Sequence, residues 1–193
     1  MVAMLWAVSL SAQTTAREWL DGLDSSLGER FGVNISVTMP ESESLDGYFM
    51  VEGDGFYLTL GVMEVYSDGR LRYEINNERK EVSEDVVDGE SVDLLTNPTR
   101  AFDFVDEQFE SSVAKSLEDG VIVLLKPLDE DMGISYIALN LGKRDGRVVP
   151  RAIVYDYDGD LVTIRLTLTD VSDAKLPRWN KEAYRAYDLV SYL

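Results

Sequence analysis

Residues 51–82, VEGDGFYLTLGVMEVYSDGRLRYEINNERKEV, constrain this chain more than any other stretch, because β-type runs alternate there with Gly and Asp-Gly turns. Asp-Gly between alternating runs signals an antiparallel hairpin, since a primed two-residue turn needs φ > 0 and Gly supplies it without steric cost. Ser67-Asp68-Gly69-Arg70 separates residues 62–66 from 71–75 and predicts such a hairpin. The rest of the chain reads as cover or continuation for that sheet.

Residues 31–39, FGVNISVTM, set Val33, Ile35 and Val37 against Asn34, Ser36 and Thr38, which predicts a strand with one wet face that Pro40 ends. Residues 48–51 and 56–60 pair around Gly53-Asp54-Gly55 with apolar or aromatic side chains on both faces. Such strands are covered twice, or face an apolar cavity on one side. An antiparallel meander follows over residues 121–125, 134–141, 148–157 and 161–171, with turns at 129–133, Asp145-Gly146 and Asp158-Gly159. The tail, with Leu176, Trp179, Tyr184, Tyr187, Leu189, Val190 and Tyr192, is too apolar to hang free and is expected as an edge strand or clasp.

Two amphipathic helices are expected. Thr15 with Glu18 forms a capping box, Trp19, Leu20, Leu23 and Leu27 share one face, and Gly28 ends the helix. Asn97-Pro98 opens the second, where Phe102, Val105, Phe109 and Val113 recur at intervals of three and four opposite Asp103, Asp106, Glu107 and Glu110. The expected fold class is mainly β (α+β): one strongly curved antiparallel sheet with amphipathic helices on its concave face. Such a sheet encloses either a filled core or an apolar cavity, and periodicity does not separate the two.

A length of 193 residues suits one domain, and 45% hydrophobic residues suffice for a core despite 36 acidic against 18 basic residues. The net charge of −18 repels nucleic-acid phosphates and anionic headgroups. With no His and no Cys, Ser-His-Asp and Cys-His nucleophiles, the common zinc sites, thiol redox chemistry and disulfides are excluded. Asp156-Tyr157-Asp158-Gly159-Asp160 has the carboxylate spacing of a calcium loop but lacks its further ligands, and a hairpin turn accounts for it. Glu84-Asp85 and Asp129-Glu130-Asp131 are carboxylate pairs of the kind glycosidases use, yet pairs are expected on the solvated faces of so acidic a chain. No Ser-x-x-Lys in a turn context suggests an acyl enzyme. No catalysis, metal or cofactor is expected.

Residues 1–12, MVAMLWAVSLSA, read as the apolar core and cleavage site of a secretory signal peptide cut near Ala12, leaving residues 13–193 as a single domain. The stretch is shorter than the about 20 apolar residues that span a bilayer. Its missing positive flank fits a segment that begins upstream of Met1. A buried N-terminal strand or helix is the alternative. No Cys follows, so there is no lipobox.

In order and spacing these elements resemble the periplasmic outer-membrane lipoprotein carrier family, LolA-like, as a divergent Bacteroidetes-type member. The resemblance covers nearly the whole of residues 13–193. It rests on the opening helix, FGVNISVTM, the strand pair GYFMVEGDGFYLTL, the hairpin and strand VYSDGRLRYEINNERKEV, Asn97-Pro98 before an aromatic helix, and the closing WNKEAYRAYDLVSYL. It implies a soluble, monomeric, non-catalytic periplasmic carrier: an open half-barrel with a helical lid, whose hydrophobic cavity shelters acyl chains of a lipoprotein or another lipid. It also implies loading by an inner-membrane release complex and delivery to an outer-membrane acceptor. The family's carriers hold the lid with an Arg where this chain has Tyr57, and a phenol cannot replace a guanidinium on lid carbonyls without changing how the lid opens. The expected cavity lining is Trp19, Leu23, Leu27, Phe102, Val105 and Phe109 from the helices, facing Phe49, Val51, Phe56, Leu58, Val123, Leu125, Ile137, Leu139, Ile164 and Leu166. Each of these serves equally as plain core. The competing readings are a structural or protein-interaction domain of the cell envelope with a filled core and a carboxylate-dependent hydrolase.

Overall fold

The computed structural model describes residues 3–89, 91, 93–100 and 108–193, with residues 3–14 and 130 described by their backbone alone. One helix, α1 (Ala3–Leu27), precedes the strands β1 (Arg30–Thr38), β2 (Leu45–Glu52), β3 (Gly55–Leu60), β4 (Met63–Ser67), β5 (Leu71–Asn76), β6 (Glu81–Val86), β7 (Phe109–Leu117), β8 (Gly120–Pro127), β9 (Tyr136–Arg144), β10 (Arg147–Tyr157), β11 (Asp160–Thr169) and β12 (Asp188–Ser191). They hydrogen-bond in the order β12-β6-β5-β4-β3-β2-β1-β11-β10-β9-β8-β7. The chain packs as two units, Met1–Gly28 with Ser36–Ser44 and Phe102–Thr167, and Glu29–Ile35 with Leu45–Ala101 and Leu168–Leu193.

In the first unit α1 lies against the sheet with a stripe of Ala16, Leu20, Leu23 and Leu27. Thr15 does not cap it, contrary to the sequence reading, because residues 3–14 contain no Gly or Pro and the helix propagates through them. Gly28 does end it: at φ 61° its N–H donates to the Asp24 carbonyl at 3.1 Å. The sheet face carries Val121, Val123 and Leu125 of β8, Ile137, Leu139 and Leu141 of β9, and Ile153 and Tyr155 of β10. Register aligns them, with Leu139 opposite both Val123 and Ile153. The helix comes closer to β7 and β10 than to β8 and β9 between them. A Cβ on Gly22 would stand 2.8 Å from Cγ2 and 3.6 Å from Cβ of Val148, so this approach needs a residue without a side chain.

The structure corrects the end of the second helix expected after Asn97-Pro98, whose last two apolar positions fall on a strand. Residues Pro98–Arg100 form one 3-10 turn, and Phe109 and Val113 lie on strand β7. Phe102 and Val105 lie outside the described residues. A spacing of four fits a helical turn and also two strand repeats, so Phe109 and Val113 satisfy either period. Ser111, which falls between them on the same strand face, and the β7–β8 hairpin at Glu118-Asp119-Gly120 decide for the strand.

The turns set the register. Asp145-Gly146 (φ 52° and 78°) and Asp158-Gly159 (φ 56° and 101°) are two-residue loops with both residues at positive φ, as the sequence predicts. The Asp-rich stretch 156–160 is therefore a hairpin turn, with the Gly159 N–H donating to Asp156 Oδ1 at 2.8 Å. The loop after Ser67 differs, since Gly69 has positive φ and Asp68 does not. There Asp68 Oδ1 accepts from the N–H groups of Arg70 and Leu71, both at 2.9 Å.

In the second unit the strands β2 to β5 put Phe49, Val51, Phe56, Leu58 and Val65 on one face and Met50, Tyr57, Glu64, Tyr66 and Tyr73 on the other. Both faces are covered, which is one of the two arrangements the sequence allowed. Met50 is buried with Val171 and with Leu176 of the tail, and β12 adds parallel to β6. The tail is thus both edge strand and clasp.

Gly120 tests this packing. A Cβ there would stand 2.1 Å from the Leu141 carbonyl oxygen, a backbone atom that cannot rotate away. Gly120→Ala is expected to lower stability by about 1–3 kcal/mol in urea unfolding, whereas Gly89→Ala, with no atom within 4 Å, should stay within about 0.5 kcal/mol of wild type.

Candidate functional site

The residues expected to line a cavity fall into both units. In the first, Leu23, Val123, Leu125 and Ile164 have 0% exposure, and Leu27, Phe109, Ile137, Leu139 and Leu166 are also buried. Trp19 is half-buried, with Lys143 Nζ 5.3 Å from its ring centroid, a cation–π contact at the margin of the face. Among these side chains no charge is buried.

In the second unit Phe49, Val51, Phe56 and Leu58 are buried together, with Phe31 edge-on to Phe49 at 6.1 Å between centroids. Tyr57 points to the opposite face. Its hydroxyl donates to Glu64 Oε2 at 3.2 Å and its ring lies 4.9 Å from that of Tyr66.

That opposite face holds a polar cluster which sequence reasoning did not single out. Glu64 Oε2 lies 2.9 Å from the Tyr66 hydroxyl and 3.2 Å from that of Tyr184, while Oε1 accepts from Asn77 Nδ2 at 2.7 Å. The Tyr66 and Tyr184 oxygens are 3.0 Å apart. Each phenol carries one proton, so with Tyr66 and Tyr57 donating to Glu64, Tyr184 donates either to Glu64 or to the Tyr66 oxygen. Tyr187 donates to Asn77 Oδ1 at 3.1 Å. Trp179 stacks between Tyr73 (4.5 Å, 8°) and Tyr184 (5.2 Å, 12°). Register brings Tyr57, Tyr66 and Tyr73 side by side across β3, β4 and β5, and the tail supplies the rest. The available signal was that the wet face of these strands is itself aromatic.

Burial by itself would raise the Glu64 carboxyl, but the hydrogen bonds from Asn77, Tyr66, Tyr57 and Tyr184 outweigh it and hold the group below its ordinary value. Burial and then the Glu64 charge push Tyr57 up to about 12. Burial, the Tyr184 contact and Glu64 raise Tyr66 further still. As an acceptor shared by phenols and an amide, Glu64 organises the cluster.

The signs of these shifts give a pH dependence. Glu64 is depressed on folding, so its contribution is complete above the ordinary value of 4.5 and is lost as pH falls through the lower folded value. The tyrosines are raised, so theirs is complete below pH 10.0 and is lost as pH rises towards the folded values. Urea midpoints of Glu64→Gln should accordingly fall less than those of wild type between neutral and acid pH. Absorbance of tyrosinate should show a set of tyrosines ionising only well above pH 10.0, together with loss of the fold.

No family model matches the sequence, and no curated protein matches it. Solved structures do. The chain is similar to an uncharacterized conserved protein of Thermus thermophilus with a TM-score of 0.61 and 11% identity, over 92% of this chain and 99% of that one. At that identity the likeness shows a shared fold. The structural neighbours also include a domain of Vibrio parahaemolyticus assigned provisionally to outer-membrane lipoprotein sorting (TM-score 0.49, 10% identity, 92% and 99% covered) and a LolA superfamily protein of Nitrosomonas europaea (0.42, 10%, 88% and 96%). With TM-scores below 0.5 these two carry no argument.

Proposed function

We propose that the protein is a non-catalytic binder and carrier of acyl chains in the periplasm, exported by way of residues 1–12, and that its cargo is a lipoprotein or another lipid. The observation that carries this reading lies in the first unit. Helix α1 approaches the flanking strands β7 and β10 and bridges over β8 and β9, whose buried side chains on that face are aliphatic, with Lys143 at the margin against Trp19. A cover that rests on its margins over an unbroken apolar floor is displaceable. The exposed floor would take a chain of methylenes by burial alone, at about 25 cal/mol per Å². Among the described residues no helix is long and apolar enough to cross a membrane.

A filled core is the second reading, and the 0% exposure of Leu23, Val123, Leu125 and Ile164 favours it. It describes the closed state equally well, so uptake must be tied to movement of α1.

The cysteine-free chain permits that test. The 3.6 Å between a Cβ on Gly22 and Val148 Cβ suits a disulfide. Oxidised Gly22→Cys/Val148→Cys protein is expected not to take up a fluorescent diacylglyceryl peptide that wild type binds, and reduction should restore uptake. Uptake with the tether closed would sink the moving-helix mechanism. No uptake by wild type would leave the filled core.

A further inference from the structure

The Glu64 cluster gathers five of the chain's ten tyrosines, Tyr57, Tyr66, Tyr73, Tyr184 and Tyr187, around Trp179 in a chain that has no Cys. Where no thiol competes, phenol and indole rings are the side chains that most readily give up a single electron. A phenol does so most easily when a base stands ready for its proton. Glu64 Oε2 is such a base, 2.9 Å from the Tyr66 oxygen and 3.2 Å from that of Tyr184. Trp179 is half-buried and so within reach of solvent; it stacks on Tyr184 at 5.2 Å and lies 6.2 Å from Tyr66. An electron lost from the indole is therefore replaced from either phenol.

Geometry separates the tyrosine pairs. When two tyrosyl radicals couple, the new bond joins the carbons next to the oxygens, the hydroxyls end side by side, and the rings twist about the bond. Tyr66 and Tyr184 already stand this way, with oxygens 3.0 Å apart and ring planes at 63°. Tyr155 and Tyr157 lie nearly parallel at 15°, and the Tyr187 hydroxyl turns away to Asn77. The Tyr66 and Tyr184 ring centres are 6.2 Å apart, and closing that gap falls to Tyr184. Its stretch of backbone is held by local turns, such as Tyr184 N–H to the Lys181 carbonyl, so the ring can shift without disturbing a strand.

We propose that Tyr66 and Tyr184 are an oxidative cross-linking site, at which peroxyl radicals join the C-terminal segment to β4 by a carbon–carbon bond with Glu64 as proton acceptor. Each of two peroxyl radicals takes one electron, through Trp179, and one proton, through Glu64 and solvent, and leaves as a hydroperoxide. The two phenoxyl radicals pair their odd electrons in the new bond, and the hydrogens on the joined carbons return to the oxygens. The link spans positions 118 apart and restrains the unfolded chain as a long-range disulfide would.

Full-length protein at low concentration is exposed to peroxyl radicals from a water-soluble azo initiator, digested with trypsin and mapped by mass spectrometry. The expected product is the peptide of residues 31–70 joined to that of residues 182–185 and two hydrogens lighter, with fragmentation placing the bond on Tyr66 and Tyr184. Tyr66→Phe and Tyr184→Phe, each folded by circular dichroism, should not form it, and Tyr187→Phe should. Glu64→Gln should form it about tenfold more slowly. Wild type unfolded in urea before exposure should lose it, a control that needs no variant to fold. A bond to Tyr57 in place of Tyr66, cross-linking only between molecules, an unchanged rate in Glu64→Gln, or equal yield from unfolded protein each overturns the proposal.

Discussion

Strand register is the constraint on which the second unit depends. Along β3 the residues alternate Phe56, Tyr57, Leu58, Thr59, and partners across β4 and β5 keep step, so one face is apolar and the other phenolic. A slip of one residue would put the tyrosines where Phe56 and Leu58 are buried and strand Glu64 in an apolar layer. The Asp68 cap on Arg70 and Leu71 pins that register between β4 and β5, and backbone bonds from those two residues hold the Asp68 carboxyl below its ordinary value. A charged carboxylate thus fixes a loop, the loop fixes the register, and the register makes both faces.

Glu64 shows how so acidic a chain tolerates a half-buried carboxylate. Its partners among the described residues are phenols and an amide rather than a cation. In a chain with 36 acidic and 18 basic residues cations are scarce, and hydroxyl donors take their place. Hydrogen bonds to a charged acceptor are stronger than neutral ones, and each phenol also brings a ring that packs on its neighbour. The tail is therefore attached by contacts in which polar and apolar gains come from the same side chains.

Much of the sheet was legible because its signals are local. Asp145-Gly146 and Asp158-Gly159 need only their own backbone preference to form primed turns, and Gly28 ends α1 for the same reason. Phe109 was not legible, since its spacing to Val113 fits two periods and the choice is made by β8 pairing alongside. The Glu64 cluster was hidden for a different reason: Tyr184 lies 120 positions away in sequence, and an isolated Glu on an alternating strand reads as a wet-face residue. What the sequence did show, that strands β2 and β3 carry large side chains on both faces and that the tail is too apolar to hang free, are two halves of one contact.

The reach of an acyl carrier built on the first unit follows from the size of its cover. Lifting α1 would expose Leu20, Leu23 and Leu27, each contributing about 1.5–3 kcal/mol by burial, so the closed state is favoured by about 5–9 kcal/mol from these side chains. An incoming chain re-covers the sheet floor and gains about 0.8 kcal/mol per buried methylene. Roughly six to eleven buried methylenes are then needed merely to offset the lost leucines. Short-chain amphiphiles would leave the helix closed, while a lipid with one or two long chains could hold it open. On the proposed reading, the stripe that buries Leu20, Leu23 and Leu27 would set a threshold of chain length for any lipid that displaces α1.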